Sequence, residues 1–383
     1  MTDARFLDIH LLQTIPYANL NRDDLGAPKT VVYGGKSRTR VSSQCWKRQT
    51  RLEVESVLGD PAVRTRRITL EVAKRLVERG WPAELAADAG AQVLLSAVKG
   101  GIKMDKDRDK RDISSVLLYL PASGLDALAE LADTHRDRVE AEAGKKAPKP
   151  ALPTAEVAAI LSSRNGTINL FGRMLAELPG GKVDGAVEVA HAFTVHATDP
   201  EIDFFTAVDD VPSLDDAGSG HMNAGEFSAG VFYRYASVDL AGLAANLDGD
   251  TATAAELTSE FLRGFVTALP SGKRTSTAPN SLPELLYVAV RADRPISLAA
   301  AFERPVRAGA DGGYGVQARD ELASYAQGLH AVWGTDEVVR HGHASIDGVS
   351  RATGLGDHVT SYSELRQAAV AAAFREPAAA GAA

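Results

Sequence analysis

Apolar and polar positions fall into two textures along the chain. Phe6 to Thr14 is rich in Ile and Leu and ends before Ile15-Pro16, which predicts an opening strand and then a loop carrying Asn21-Arg22-Asp23-Asp24. Strand-like Thr30 to Tyr33, the turn Gly34-Gly35 and strand-like Arg38 to Val41 follow. Ser42-Ser43 then offers an N-cap to a helix running to Leu58, with Gly59 at its end. From Asp60 to about Lys182 the texture turns helical, in Thr69 to Gly80, Ala83 to Val98 and Gly124 to Glu142, which predicts an inserted helical domain. Within it, Lys103 to Asp112 reads as a solvated charged face and Gly144 to Pro153 as an exposed linker.

Val183 to Ala197 predicts a helix, and Asp199 to Glu226 a long excursion from the sheet. In Phe227 to Leu240, Val231, Tyr233 and Tyr235 alternate with Phe232 and Arg234, the period of a strand. Helices at Leu240 to Leu247 and Thr253 to Leu269, a strand at Leu285 to Arg291, and amphipathic helices at Arg319 to Val332 and Tyr362 to Arg375 complete the chain. This order predicts an α+β sheet domain interrupted twice.

Composition changes that picture little. With 383 residues, 45% hydrophobic and 24% charged, the chain is ordinary for a globular protein and too long for one growing core. Apolar stretches such as Leu282 to Val290 are broken by Pro283 and Glu284, so no membrane span or membrane partner is expected. Met1 to His10 carries Asp3 and Asp8 and does not read as a secretory signal, which points to the cytoplasm. A single cysteine, Cys45, excludes an internal disulfide.

Charge matters more. The net charge of -8 argues against a nucleic-acid partner, but from Leu25 to Leu52 there is no acidic residue beside Lys29, Lys36, Arg38, Arg40, Lys47, Arg48 and Arg51. A window of that length at the chain's average would hold about three basic and about four acidic residues. Lys47, Arg48 and Arg51 converge through their helical spacing. A solvated basic face and a phosphate-binding surface both fit this pattern.

Enzyme motifs are weak. Gly34-Gly35-Lys36-Ser37 lacks the earlier glycine of a phosphate-binding loop, Thr30 standing in its place, and in Ser271-Gly272-Lys273-Arg274 no Ser or Thr follows the lysine. Asp209-Asp210 would point to opposite faces of a strand, a poor arrangement for one metal ion. His191 and His196 are five apart, wrong for a shared helical ligand face, and fit packing or capping. His341-Gly342-His343 reads as a loop facing solvent. Phe204-Phe205-Thr206 on the excursion could stack on bases or wedge between them, or could sit in a core.

Several blocks resemble the backbone subunit of the type I-E CRISPR surveillance complex Cascade, the CasC family. They are Leu20-Asn21-Arg22-Asp23-Asp24, Gly34-Gly35-Lys36-x-Arg38-x-Arg40-x-Ser42-Ser43-Gln44-x-x-Lys47-Arg48 and Gly172-Arg173-Met174. The resemblance is strongest in Gly181-Lys182-Val183-Asp184-Gly185-Ala186, Phe205-Thr206-Ala207-Val208-Asp209-Asp210 and Glu226-Phe227-Ser228-x-Gly230-Val231-Phe232-Tyr233-Arg234-Tyr235-Ala236. Leu269 to Pro279 matches weakly, through Lys273 and Arg274. About a third of the chain is covered.

The resemblance implies an α+β fold, with an RNA-recognition-like (ferredoxin-like) sheet as palm, a large helical finger insertion and a protruding thumb hairpin or loop. The palm would take residues 1–59, 181–198 and 228–383, the last with the C-terminal helices; the finger would be 60–180 and the thumb 199–227. It implies a non-catalytic subunit without a cofactor that oligomerises along CRISPR RNA and presents it in segments for pairing with target DNA. Its partners would be the CRISPR RNA, other copies of itself, the other Cascade subunits and, indirectly, a nuclease-helicase.

Carried over, Arg22, Lys36, Arg38, Arg40, Ser42, Gln44, Lys47 and Arg48, with Lys273 and Arg274, would hold the guide backbone, while Met174, Phe205 and Thr206 flank a flipped nucleotide. Such a protein reads shape and leaves sequence to base pairing. Lys103, Lys106, Lys110, Lys145, Lys146 and Lys149 could touch target DNA, from charge alone. The aromatic signature of RNA-recognition sheets is absent, so Tyr233 and Tyr235 are expected in the palm core. Two alternatives stay open: a metal-dependent ribonuclease using Asp23, Asp24, Asp209 or Asp210, and a free single-strand RNA-binding protein.

Overall fold

The computed structural model describes residues 4–99, 101–207, 221–346 and 353–375. In chain order the elements begin with β1 (Phe6–Ala18), β2 (Thr30–Tyr33), β3 (Lys36–Val41) and α1 (Ser43–Leu58). Then come β4 (Ala62–Thr65), α2 (Ile68–Glu78), α3 (Ala83–Lys99), β5 (Met104–Lys106), β6 (Asp112–Ser114) and β7 (Leu118–Pro121). Four helices follow, α4 (Ala122–Thr134), α5 (Arg136–Glu142), α6 (Thr154–Leu161) and α7 (Gly166–Phe171). Next are β8 (Val187–Val189), β9 (Ala192–Thr194), β10 (Glu201–Ala207), β11 (His221–Asp239), α8 (Leu240–Asn246), α9 (Thr251–Thr267) and α10 (Arg274–Thr277). The chain closes with β12 (Leu285–Arg291), a 3-10 turn (Ala299–Phe302), α11 (Gly315–Trp333), β13 (Val338–Ser345), β14 (Asp357–His358) and α12 (Tyr362–Ala373).

The chain divides into two compact units. The first comprises residues 1–53, 187–244 and 250–383 and holds a ten-stranded sheet in the order β14-β13-β12-β1-β11-β9-β3-β2, with β8 and β10 also paired to β11. Among the described residues only β13–β14 is parallel. The central strands read as nearly continuous apolar runs because both faces are covered. Leu12, Tyr233, Tyr235 and Tyr287 pack beneath α11 and Phe302, while Ile15 and Phe232 pack with Trp46 of α1. Tyr233 and Tyr235 are thus core residues.

The second unit, residues 54–186 with 245–249, is wider at both ends than the expected helical insertion of 60–180. Its core joins Val72 and Leu76 of α2, Val93 of α3, Leu125 and Leu128 of α4 and Val157 of α6. The predicted helix Gly124 to Glu142 is two helices broken at His135, and Lys103 to Asp112 forms the hairpin β5–β6. Among the described residues no helix is long and apolar enough to cross a membrane.

Two expectations are corrected. Val183 to Ala197 contains β8 and β9 instead of a helix, because the long β11 offers a ladder: Val187 faces Val238 and Phe193 faces Tyr233. Val187 and Val189 are β-branched residues at alternate positions, which suits that ladder and outweighs the absence of a breaker. His341-Gly342-His343 lies in β13 paired with β12, not in a solvent-facing loop, and the buried His343 places Nδ1 3.2 Å from the Leu355 carbonyl. Its interior glycine hid the strand.

Buried arginines act as struts. Arg234 is fully buried, lies 3.7 Å from the Trp46 ring centroid, and donates to Gln13 Oε1 at 2.6 Å and to the Phe265 carbonyl. Burial pushes its pKa down to about 9, so it remains a cation at neutral pH. In the second unit Arg173 donates to the carbonyls of Gly181, Tyr119, Ser163 and Ser162.

The sheet core also sets an acid limit. His10 stacks on Tyr235 and Tyr287, with centroids 5.0 and 5.2 Å apart, and burial pushes its pKa down to about 3. His341 is pushed down to about 4, chiefly by burial. The unfolded chain takes up these protons near pH 6.5 and the folded chain does not, so stability falls as pH drops from about 6.5 toward 3. Asp8, raised to about 6 by burial, opposes part of this by taking up a proton in the folded state first. Denaturant titrations at pH 7 and 4.5 should show a net loss of order 2 kcal/mol, and His10→Gln should flatten the difference.

Candidate nucleic-acid interface

The basic window folds so that part of it supports the surface and part is displayed on it. The Asn21 side chain accepts from the Ser42 backbone N–H at 2.8 Å, tying the loop after β1 to the start of α1. Asp23 Oδ1 accepts from the N–H groups of Leu25 and Ala27, both at 2.9 Å, closing the turn that leaves Arg22 exposed. Ser42 Oγ accepts from the Cys45 N–H as an N-cap, and Gln44 stands exposed in the first turn of α1. That turn has no acidic residue, so its dipole adds to the positive field.

Lys36 is exposed on the β2–β3 hairpin, beside Gly34 and Gly35 at φ +57° and +71°. A Cβ on Gly34 would lie 1.7 Å from the Glu303 carbonyl oxygen, so only glycine fits there. Arg40 is half-buried at 3.4 Å from His191 Nδ1, which accepts from the Ser43 N–H at 2.9 Å. Sequence reasoning missed His191 as a ligand of the α1 start, because its segment reads as helix. Burial and the neighbouring Arg40 push its pKa down, which keeps the accepting form. His196 is a core residue stacked on Tyr314, with centroids 3.6 Å apart.

Lys47 is half-buried, with Nζ 3.4 Å from the Val187 carbonyl and its pKa pushed down by burial, whereas Arg48 is exposed. Arg38 departs from the expected role. Its fully buried guanidinium donates to the carbonyls of Thr194 at 2.9 Å and Phe302 at 3.1 Å, leaving no face for a phosphate. It is a positioning residue that clamps β3 to β9 and the 3-10 turn.

Lys273 and Arg274 reach the same neighbourhood from a distant stretch of sequence. A Cβ on Gly272 would lie 2.5 Å from the Leu20 carbonyl oxygen, so this glycine lets the loop close on the segment preceding Arg22. Both cations are exposed, Lys273 in a left-handed conformation at φ +51°. The backbone thus sets Lys273 and Arg274 close to the segment that carries Arg22, a neighbourhood that only a weak motif marks in the chain.

The excursion is a two-stranded hairpin. β10 pairs with β11 from Glu201↔Phe227 to Ala207↔His221. Phe204 is 72% exposed and Phe205 44%, on opposite faces, and Thr206 is exposed, so neither ring is buried. Val208, Asp209 and Asp210 lie outside the described residues. At the hairpin base Tyr17 stacks on Phe227 at 4.4 Å between centroids.

In the second unit Gly172, at φ +77°, packs so closely on Gly185 that a Cβ would lie 2.7 Å from its nitrogen. Arg173 is buried beside them as a strut, and Met174 projects with 92% of its surface exposed. Of the six lysines considered for DNA, all are exposed, but Lys106 is paired with Asp112 at 2.6 Å and Lys145 with Glu142 at 2.8 Å. Lys103, Lys110, Lys146 and Lys149 stand on the same two stretches.

Exposed cations on loops, on the β2–β3 hairpin and on α1, together with a second hairpin that displays two aromatic rings, form a surface suited to a partner larger than a small substrate. The family model of CT1975-like proteins matches residues 7–381. A chain of a structure titled "CRISPR RNA-guided surveillance complex, pre-nicking" is 56% identical with a TM-score of 0.91, the match covering 96% of this chain and 100% of that one. A chain of a "CRISPR RNA-guided surveillance complex" is 49% identical with a TM-score of 0.80, over 96% of this chain and 99% of that one. No curated protein matches significantly. The chain belongs to the CT1975-like family, the CRISPR surveillance-complex backbone subunits that its motif blocks resemble.

Proposed function

We propose that the chain is a non-catalytic, RNA-binding backbone subunit of a type I-E CRISPR surveillance complex. It lines up in copies along the CRISPR RNA and presents the guide in segments to target DNA, which a separate nuclease-helicase then destroys. The observation that carries this reading is the convergence of Arg22, Arg40, Gln44, Arg48, Lys273 and Arg274 around the α1 start, drawn from loops remote in sequence. Such a surface suits phosphate and 2′-hydroxyl groups and leaves base edges free for pairing.

The first unit serves as palm in this reading. Its strand order β12-β1-β11-β9, with α1 between β1 and β9 and α9 between β11 and β12, follows the 4-1-3-2 antiparallel order of a ferredoxin-like sheet. The β10–β11 hairpin serves as thumb and the second unit as finger, whose exposed lysines Lys103, Lys110, Lys146 and Lys149 would approach the target duplex. Asp23, committed to two backbone N–H groups, suits turn formation better than metal-dependent cleavage.

Affinity for single-stranded RNA measured against salt tests the reading, followed by electron microscopy of the product. Log affinity should fall with log salt by about 0.7 per phosphate contact, and long RNA should carry ordered rows of subunits. Salt-insensitive binding without rows, even with the partner subunits added, would overturn it. Mg²⁺-dependent cleavage of paired RNA, lost in Asp23→Ala, would overturn its non-catalytic part. Phe205→Ala should leave folding intact and weaken segmented pairing with target several-fold, read by footprinting; an unfolded variant would place Phe205 in the core instead.

A further inference from the structure

Among the described residues, β2 and β10 of the first unit each leave one edge unpaired. β2 is the outermost strand of the sheet, and its sequence Thr30-Val31-Val32-Tyr33 carries no charge and no proline; 74% of Val32 is exposed. An unguarded apolar edge of this kind is a template for a further strand. The register shows which peptide groups are free. The Arg40 N–H donates to the Lys29 carbonyl at 2.7 Å, whereas the Thr39 N–H turns away from β2 to the hydroxyls of Thr194 and Thr198. Hydrogen-bond direction alternates along a strand, so Val31 and Tyr33, which face Arg38 and Lys36, point inward to β3. Thr30 and Val32 therefore present N–H and C=O outward.

β10, among the described residues, pairs only with β11 and is exposed from Glu201 to Thr206. The two edges differ in charge. β10 carries Glu201 and Asp203 and no base, whereas β2 is flanked in sequence by Lys29 and Lys36, two cations against the one carboxylate, Glu303, whose charge reaches Tyr33. Like edges would repel, β10 against β10 through its carboxylates and β2 against β2 through its lysines. Unlike edges attract, and a contact between two different surfaces of identical chains builds open rows.

We propose that β10 of one copy adds to β2 of the next, so that main-chain hydrogen bonds to Thr30 and Val32 continue the sheet across the boundary between subunits. This rests on the reading that copies line up along RNA. It places the recognition in backbone groups, with Ile202 and Phe204 laid along the exposed valines.

Val32→Pro tests it cleanly. Proline removes only the outward N–H and leaves the ladder to β3, which uses Val31 and Tyr33, so the fold should survive. The variant should keep its affinity for an RNA long enough for one copy and lose at least tenfold in cooperative assembly on long RNA. In a Cys45→Ala background, Val32→Cys mixed on RNA with Ile202→Cys, Asp203→Cys or Phe204→Cys in turn should give a disulfide-linked dimer on oxidation. No cross-link from any of the three in rows seen by microscopy, or normal rows from Val32→Pro, would overturn the proposal; should that variant unfold, the cross-link decides. Absence of rows from the unaltered chain would overturn the RNA-scaffold reading itself.

Discussion

Replacing Arg22, Lys273 and Arg274 together by glutamate should weaken binding to single-stranded RNA by at least about a hundredfold near physiological salt. All three are exposed and none lies in the core, so the unfolding midpoint should stay within a degree or two of the parent. The salt dependence is the sharper readout. Each lost phosphate contact removes about 0.7 from the slope of log affinity against log salt, so the triple variant should be flatter by about two. Reversing Lys47 is a poorer experiment, because its half-buried ammonium also donates to the Val187 carbonyl and its loss disturbs α1. An unchanged slope in the triple variant would mean that this surface does not meet phosphate.

Much of this architecture is legible in the chain. β12 runs over Leu285–Arg291, the predicted stretch, because seven consecutive buried residues between turn signals leave little choice. α1 begins at its serines and stops at Gly59, whose φ of +65° ends the helix. Strands that depend on a partner elsewhere are another matter. β8 and β9 are three residues each and β13 is interrupted by Gly342, so only the ladders of β11 and β12 decide them, which no local pattern announces. Charge proved legible as a sum and illegible as a set of roles. The window from Lys29 to Arg51 supplies the exposed Arg48 and the half-buried Arg40, but Arg22, Lys273 and Arg274 come from outside it, and periodicity gives no sign of which cation faces solvent. The glycines carried more structure than their motifs suggested: Gly34, Gly172 and Gly272 each allow a backbone approach that a Cβ would block, and each stands within three residues of a residue singled out for function.

Arg38 shows why charge alone misleads, and it sets the second large effect. Arg38→Ala should cost about 3 to 5 kcal/mol of stability, since it empties a buried site and strips hydrogen bonds from the carbonyls of Thr194 and Phe302. Arg38→Lys should recover little of that, because a single ammonium cannot span two carbonyls as a planar guanidinium does. The decisive comparison is made below the unfolding transition. A residue that holds phosphate lowers affinity and flattens the salt slope when removed, whereas a clamp lowers the unfolding midpoint and leaves the slope of the surviving folded protein unchanged. Arg38 shares β3 with Arg40, two residues apart and on the same face, yet Arg40 sits near solvent beside His191 while Arg38 lies beneath Phe302. The same Arg-x-Arg spacing therefore supplies one residue to build the surface and one to display on it, and the salt slopes of Arg38→Ala and Arg40→Ala should differ by about 0.7.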